Sequence, residues 1–275
     1  RLCFQCSNYE PQGKKILIIK LAAMGDVLRT TSILTGLKRK YPHSHITWLV
    51  NKESYFLLED NPKIDRLLTY DLDSTLRLLV ERFDLVLSLD KAFGGASLAT
   101  LVAAGEKKGL GFHEKGYLYP LNKESEYAFW LGVDDSLKFR QNKKTYHELI
   151  YEMSGLVYKN DEYILNISEE SRKFGEDFLK KNKLKKGNLI IGLNTGSGDV
   201  FATKKWTIEG FIKLARMLND KLKARTLLLG GPNEIQRNKG IKSRLKTLII
   251  DTGCHNSLQE FIGIINICSL VVSGD

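Results

Sequence analysis

The stretch Lys15-Ile16-Leu17-Ile18-Ile19-Lys20-Leu21-Ala22-Ala23-Met24-Gly25-Asp26-Val27 decides the fold. Ile16–Ile19 is a short, continuous apolar run with a lysine at each end, the pattern of a strand buried on both faces of a parallel sheet. Leu21–Asp26 follows as a turn with a glycine and an N-cap-type aspartate. From Val27 to Lys40 the apolar or small residues fall at Val27, Thr30, Thr31, Leu34 and Leu37, which is helix spacing. Pro42 ends that helix and Ile46–Val50 reads as a second strand. Strand, helix and strand within about 35 residues make a βαβ unit, and a βαβ unit implies a parallel sheet.

The alternation continues outward from this unit. Leu67–Tyr70 reads as a weaker strand, Ser74–Glu81 as a helix and Leu85–Leu89 as a strand. Ala96–Ala104 is a small-residue helix and Lys108–Phe112 a short strand. Gly116–Lys144, aromatic and polar, suits a long loop region. Tyr146–Gly155 is helical, and Lys159–Asn166 is a polar crossing segment with an extended patch. The pattern then restarts. Glu169–Lys181 is a charged amphipathic helix, Leu189–Leu193 a strand, Asn194–Gly198 a small polar loop, Thr207–Leu222 a helix and Arg225–Leu229 a strand. Leu248–Ile250 and Leu270–Val272 are further strands. The expectation is an α/β protein of two Rossmann-like domains facing each other across a cleft. They cover residues 14–165 and 166–275, after a tail over residues 1–13. In such sheets ligands bind at the carboxyl ends of the strands.

Composition sets the limits. The 275 residues are 43% hydrophobic and 27% charged, with 5 prolines, as in a globular protein. No stretch approaches the roughly 20 apolar residues of a spanning helix, and Arg1–Pro11 lacks the apolar core of a signal peptide. Lysine and arginine number 42 against 32 aspartate and glutamate, a formal charge of +10. That excess favours an anionic partner such as nucleic acid, a membrane surface or a phosphorylated molecule. The lysines are dispersed, with small clusters at Lys38–Lys40 and Lys180–Lys186, and a solvated basic face is the plainer reading of each. Four cysteines are too few for a disulfide scaffold and suit a reducing, cytosolic compartment. Cys3 and Cys6 have the spacing of half a metal site or of a redox pair. The chain starts without methionine and stops straight after an apolar run, which reads as a fragment at both ends, the second domain being incomplete.

Three constellations could carry chemistry. Asp26 follows the first strand where a helix begins. It is either an N-cap or a general base at the mouth of a cleft. Beside it, Lys20, Arg29, Thr30 and Thr31 could contact an anion, although Lys20 could equally be a plain strand-end lysine. The second is Asn194-Thr195-Gly196-Ser197-Gly198 with Lys204-Lys205-Trp206 beyond. Glycines let backbone approach a phosphate, hydroxyls donate and a lysine neutralises, though a flexible loop has the same composition. Trp206 reads as a packing anchor. The third is Gly230-Gly231-Pro232-Asn233-Glu234 after a strand, either a tight turn or a carboxylate accepting from ribose hydroxyls.

Taken together these segments resemble the bacterial lipopolysaccharide heptosyltransferase family, glycosyltransferase family 9. The resemblance begins with Lys15–Thr31, Leu37-Lys38, Tyr41-Pro42 and Ile46–Val50. It continues through Asn61-Pro62-Lys63-Ile64-Asp65, Lys204–Phe211, Gly230–Glu234 and Leu270–Asp275, and covers nearly all of residues 14–275. It implies a GT-B fold with the acceptor on the N-terminal domain and the nucleotide-sugar on the C-terminal one. The activity it implies is inverting transfer of heptose, usually from ADP-heptose, to an inner-core sugar. Asp26 matches the family's general base and Lys204 the lysine on the donor diphosphate. Thr195 and Ser197 fall in the phosphate loop, and Glu234 matches the ribose-binding acid. Asp275 matches the aspartate that opens the family's Asp-Thr-Gly…His segment. Asp90, Lys91 and His113 are further candidates for the acceptor pocket.

Catalysis then needs no cofactor. The partners are an ADP-sugar and an anionic glycolipid acceptor, and the place is the cytoplasm, at the inner face of the inner membrane. Cys3 and Cys6 lie outside the family pattern and suit the tail of a metal-bearing extension. Transfer to a protein or to O-chain sugar is the alternative within the family. A nucleic-acid-binding module would want a basic stripe interleaved with aromatics. A nicotinamide-dependent oxidoreductase would want GxGxxG after the first strand, where only Gly25 stands.

Overall fold

The computed structural model describes residues 13–185, 187–196 and 205–274. The chain divides into two compact units, with the boundary between Asn166 and Ile167.

In the first unit, β1 (Lys15–Ile19) leads through α1 (Met24–Thr30) and α2 (Ile33–Lys40) to β2 (His45–Val50). There follow β3 (Arg66–Thr69), α3 (Leu72–Val80), β4 (Arg82–Ser88), α4 (Phe93–Leu101), β5 (Ala103–Phe112) and β6 (Leu118–Pro120). Then come α5 (Glu126–Trp130), a π-turn at Leu137–Gln141 and α6 (Tyr146–Met153). The strand order is β3-β2-β1-β4-β5-β6, parallel except for β6. The two-residue period of β1 explains its unbroken apolar sequence. Ile16 and Ile18 enter one core with α2 and α6, while Leu17 and Ile19 enter another with Leu78, Leu98 and Val102. Burying each such side chain contributes about 1.5–3 kcal/mol. The direction of winding reverses at β1, between β2 and β4, so the β1 and β4 carboxyl ends frame a crevice.

The second unit runs α7 (Glu169–Lys181), β7 (Ile190–Asn194), α8 (Ile208–Leu222), β8 (Arg225–Leu229), α9 (Ile235–Leu245), β9 (Ile249–Asp251), α10 (Leu258–Asn266) and β10 (Leu270–Ser273). Its strands are all parallel in the order β10-β7-β8-β9, with the reversal at β7.

Several elements depart from the sequence expectation. The helix expected from Val27 to Lys40 is two helices. Thr31 Oγ1 donates to the Leu28 carbonyl at 2.7 Å and Ser32 Oγ to that of Arg29 at 3.0 Å, and these bonds compete with a continuous backbone ladder. Asp26 is not the N-cap: that position is Ala23, and Asp26 sits inside the first turn. The loop expected over Gly116–Lys144 contains β6, α5 and the π-turn, short elements set by tertiary contacts. Lys108–Phe112 is only the end of a ten-residue strand. A helix after the Gly230–Glu234 turn is expected and is α9, whereas α10 is additional to the expectation, although the capping box Ser257…Glu260 announces it.

Gly109 lets β5 close against β4. Its φ is +99°, and a Cβ there would lie 1.9 Å from the Ser88 carbonyl oxygen. Gly109→Ala is expected to destabilise the first unit by about 2 kcal/mol or more, read from urea unfolding.

Candidate functional site

A cavity of about 350 Å³ opens at the crevice between the β1 and β4 ends. Lys20, Asp26, Arg29, Asp90, Lys91 and Tyr146 form its polar lining, and Leu110, Leu131, Leu149 and Met153 part of its apolar wall.

The base of the polar side is a buried ion pair. Lys20 Nζ lies 3.6 Å from Asp90 Oδ2, and each side chain is only 7% exposed. Asp90 does more than neutralise Lys20. Its Oδ2 accepts from the backbone N–H of Leu21 (2.7 Å) and Ala22 (3.1 Å), and its Oδ1 from that of Ala92 (2.8 Å). One carboxylate thus ties the loop after β1 to the loop after β4. Burial alone would raise its pKa, but Lys20 and these three N–H donors outweigh burial and hold it below the usual range.

Asp26 stands above this pair with a side chain 35% exposed. Its Oδ1 is paired with Arg29 Nη2, and its Oδ2 is 4.0 Å from Lys20 Nζ. Helix α1 starts at Met24, so its first turn delivers Asp26 and its last delivers Arg29. Lys91 also lines the cavity. Burial, then the neighbouring Lys138 and Lys20, push its pKa down, against the pull of Asp26.

The other first-unit candidates are not at the cavity surface. Thr30 is fully buried and its hydroxyl is bonded to the Asp26 carbonyl and to Tyr146. His113 lies past the end of β5, stacked on Tyr117 with centroids 4.7 Å apart, and does not line the cavity. Its large ring found an aromatic partner on the β5–β6 turn instead. Tyr146 is the cavity residue that sequence reasoning missed. Its signal was the capping box of Thr145 and Glu148, which starts α6 with Tyr146 in the first turn.

In the second unit the candidate residues meet at the β7 and β8 ends. Thr195 is buried, and its hydroxyl donates to Asn238 Oδ1 at 2.6 Å. Asn238 Nδ2 in turn donates to the Leu229 carbonyl at 3.1 Å. The Thr195 hydroxyl is thus engaged within the fold. Glu234 Oε2 accepts from Gly231 N at 2.9 Å. Gly196 rests against it, since a Cβ at 196 would lie 2.7 Å from Glu234 Cδ. Thr207 caps α8, its Oγ1 accepting from Gly210 N at 3.0 Å. Trp206 meets Phe211 edge-on at 5.1 Å. Cys3, Cys6, Ser197, Lys204 and Asp275 lie outside the described residues.

The Lys20–Asp90 pair generates a stability prediction. Asp90 has a lower pKa folded than unfolded. Its contribution is therefore complete above the unfolded carboxylate value of about 3.9 and is lost as pH falls through the depressed folded value. Asp90→Asn should cost about 3 kcal/mol or more at neutral pH, because Lys20 is left buried without its counter-charge. It should also flatten the acid side of the stability–pH curve, measured by urea unfolding.

Comparison with known proteins gives the family. The family model for glycosyltransferase family 9 (heptosyltransferase) matches residues 74–275, well over half of the chain. The chain is 26% identical over 214 residues to the lipopolysaccharide core heptosyltransferase OpsX of Haemophilus influenzae, a match covering 74% of this chain and 56% of that protein. It thus spans little more than half the length of that relative. A crystal structure of a glycosyl transferase family 9 protein from Veillonella parvula superposes with a TM-score of 0.71 at 24% identity, covering 94% of this chain and 75% of that one. The E. coli ADP-heptose LPS heptosyltransferase II superposes with a TM-score of 0.64 at 19% identity, covering 95% and 79%. The α/β fold and the family match lead to one conclusion: the chain belongs to glycosyltransferase family 9, the heptosyltransferase family.

Proposed function

We propose that this protein transfers heptose from ADP-heptose to an inner-core sugar of lipopolysaccharide, with inversion at the anomeric carbon. The observation that carries the reading is the Asp26 carboxylate, presented at a cavity on the switch point of a parallel sheet. Family membership and the ADP-heptose enzyme of the same fold support the donor. The core heptosyltransferase relative supports the acceptor.

The chemistry follows from the residues. An acceptor hydroxyl in the cavity attacks the anomeric carbon from the face opposite the diphosphate. Asp26 takes the hydroxyl proton as the new C–O bond forms. The bond to the phosphate oxygen breaks and ADP leaves with the electron pair. Lys204, which the resemblance puts on the diphosphate, neutralises that charge together with a helix N-terminus, and the scheme needs no cofactor. Glu234 at the β8 turn takes the donor ribose. Acceptor binding belongs to the first unit and donor binding to the second.

Charge supports an anionic acceptor. The cavity lining holds three cations, Lys20, Arg29 and Lys91, against two carboxylates, Asp26 and Asp90. Lys91 is the cation that takes the acceptor's anionic substituent. The net +10 charge favours work at an anionic membrane face in the cytoplasm. Among the described residues no helix is long and apolar enough to cross a membrane.

Three measurements test this reading. Calorimetric titration with ADP, UDP, GDP and NAD⁺ should show selective ADP binding that weakens in Lys204→Ala; preference for another nucleotide rejects the donor. Asp26→Asn should lower kcat by about 10²–10⁴-fold with ADP affinity unchanged. Lys91→Ala should raise the KM for an anionic acceptor while kcat holds; an unchanged KM removes Lys91 from the acceptor site.

A further inference from the structure

Asp26 is held from its own helix and from α6. Arg29 pairs with its Oδ1, and the Arg29 guanidinium lies 4.2 Å from the centroid of the Tyr146 ring. Hydroxyl bookkeeping shows what fixes that ring. Thr30 Oγ1 has one proton and gives it to the Asp26 carbonyl at 2.6 Å. The Tyr146 hydroxyl meets Thr30 Oγ1 at 2.7 Å and donates to the same Asp26 carbonyl at 3.3 Å. It keeps the proton to do so: burial pushes its pKa to about 12 although the bond with Thr30 pulls it down. The tyrosine ring is thus anchored to the turn that carries Asp26 and braces Arg29 from the other side.

We propose that Arg29, braced by Tyr146, is a positioning residue for Asp26, occupying Oδ1 so that Oδ2 receives the acceptor proton. This rests on the reading of Asp26 as the base. Oδ2 is the open oxygen, since Lys20 Nζ stands 4.0 Å away, beyond hydrogen-bond reach, and closer to Asp90. In the transfer step the proton passes to Oδ2 as the acceptor oxygen bonds to the anomeric carbon and ADP departs with its electron pair.

The groups facing Asp26 are Lys20 from the β1 end, Lys91 beyond β4, Arg29 on α1 and Tyr146 on α6. Asp90 lies behind Lys20, Lys138 beside Lys91 and His147 near Arg29. Lys20 cannot be changed without orphaning the buried Asp90. Arg29 is about half exposed, at 48%, and its removal is the milder probe.

The experiment measures kcat, the acceptor KM and ADP affinity, with melting temperatures, for the full-length wild type and Arg29→Gln, Arg29→Lys, Tyr146→Phe and Tyr146→Leu. In Arg29→Gln kcat should fall about 10-fold or more while the acceptor KM and ADP affinity hold, because substrate still binds but the carboxylate is misdirected in the transition state. Tyr146→Leu should lower kcat in the same way, and Tyr146→Phe, which keeps the ring, less. Arg29→Lys keeps the cation without the planar fork and should recover part of the lost kcat. An unchanged kcat in Arg29→Gln overturns the proposal. So does a rise in acceptor KM with kcat unchanged, which would make Arg29 a binding residue only. A loss in Arg29→Lys as large as in Arg29→Gln also overturns it, and that comparison between folded variants serves if Tyr146→Leu does not fold. Failure of the base assignment is seen separately, in Asp26→Asn retaining more than about a tenth of wild-type kcat.

Discussion

The buried pair of Lys20 and Asp90 is the constraint on which the first unit's cavity depends. Two charges removed from water at the carboxyl ends of a sheet are tolerated only when their lone pairs are used. Asp90 meets that condition by accepting three backbone N–H groups from two loops and facing one ammonium. The geometry of the β1–α1 turn follows. With Leu21 and Ala22 held, α1 begins at Met24 and its first turn has a fixed direction. The position of Asp26 is thus set by a carboxylate 64 residues further along the chain. The wall opposite, from α6, is held by its own links to the same turn, through Tyr146 and Thr30.

Much of this was legible in the sequence, and the reason is periodicity. Strands buried on both faces leave unbroken apolar runs, so β1, β2, β7 and β8 could be read within a residue or so. Helices with strong stripes, such as Glu169–Lys181, could be read to their ends. Asp26, Lys20 and Glu234 stood out as candidates because they follow strand ends, where α/β sheets bind ligands. What escaped was decided by single contacts. The break between α1 and α2 depends on where two hydroxyls point, and no window of hydropathy registers that. The direction of the Thr195 hydroxyl depends on Asn238, 43 residues away. Tyr146 reads as an ordinary helix-start aromatic until α6 is laid beside α1.

The second unit applies the same logic with different chemistry. Where the first unit ties its strand ends with charge, the second uses neutral groups: Thr195, Asn238 and the Leu229 carbonyl form a buried chain. Neutral bonds avoid the desolvation cost of ions but position less strongly. Close backbone approach supplies the remainder, with Gly196 lying directly on Glu234.

The cavity has a consequence for the gene. All of its lining residues lie between Lys20 and Met153, and the strap that follows folds back on the same unit. Ile164 N donates to Thr31 Oγ1 at 2.7 Å, Asp161 pairs with Arg39, and Asn166 Nδ2 donates to the Asp60 carbonyl at 3.2 Å. The reading frame can therefore be cut after Asn166 without parting the strap from its anchors. The cavity is encoded as one uninterrupted block, which makes the first unit portable: it can be exchanged between relatives as a cassette while the second unit stays as it is.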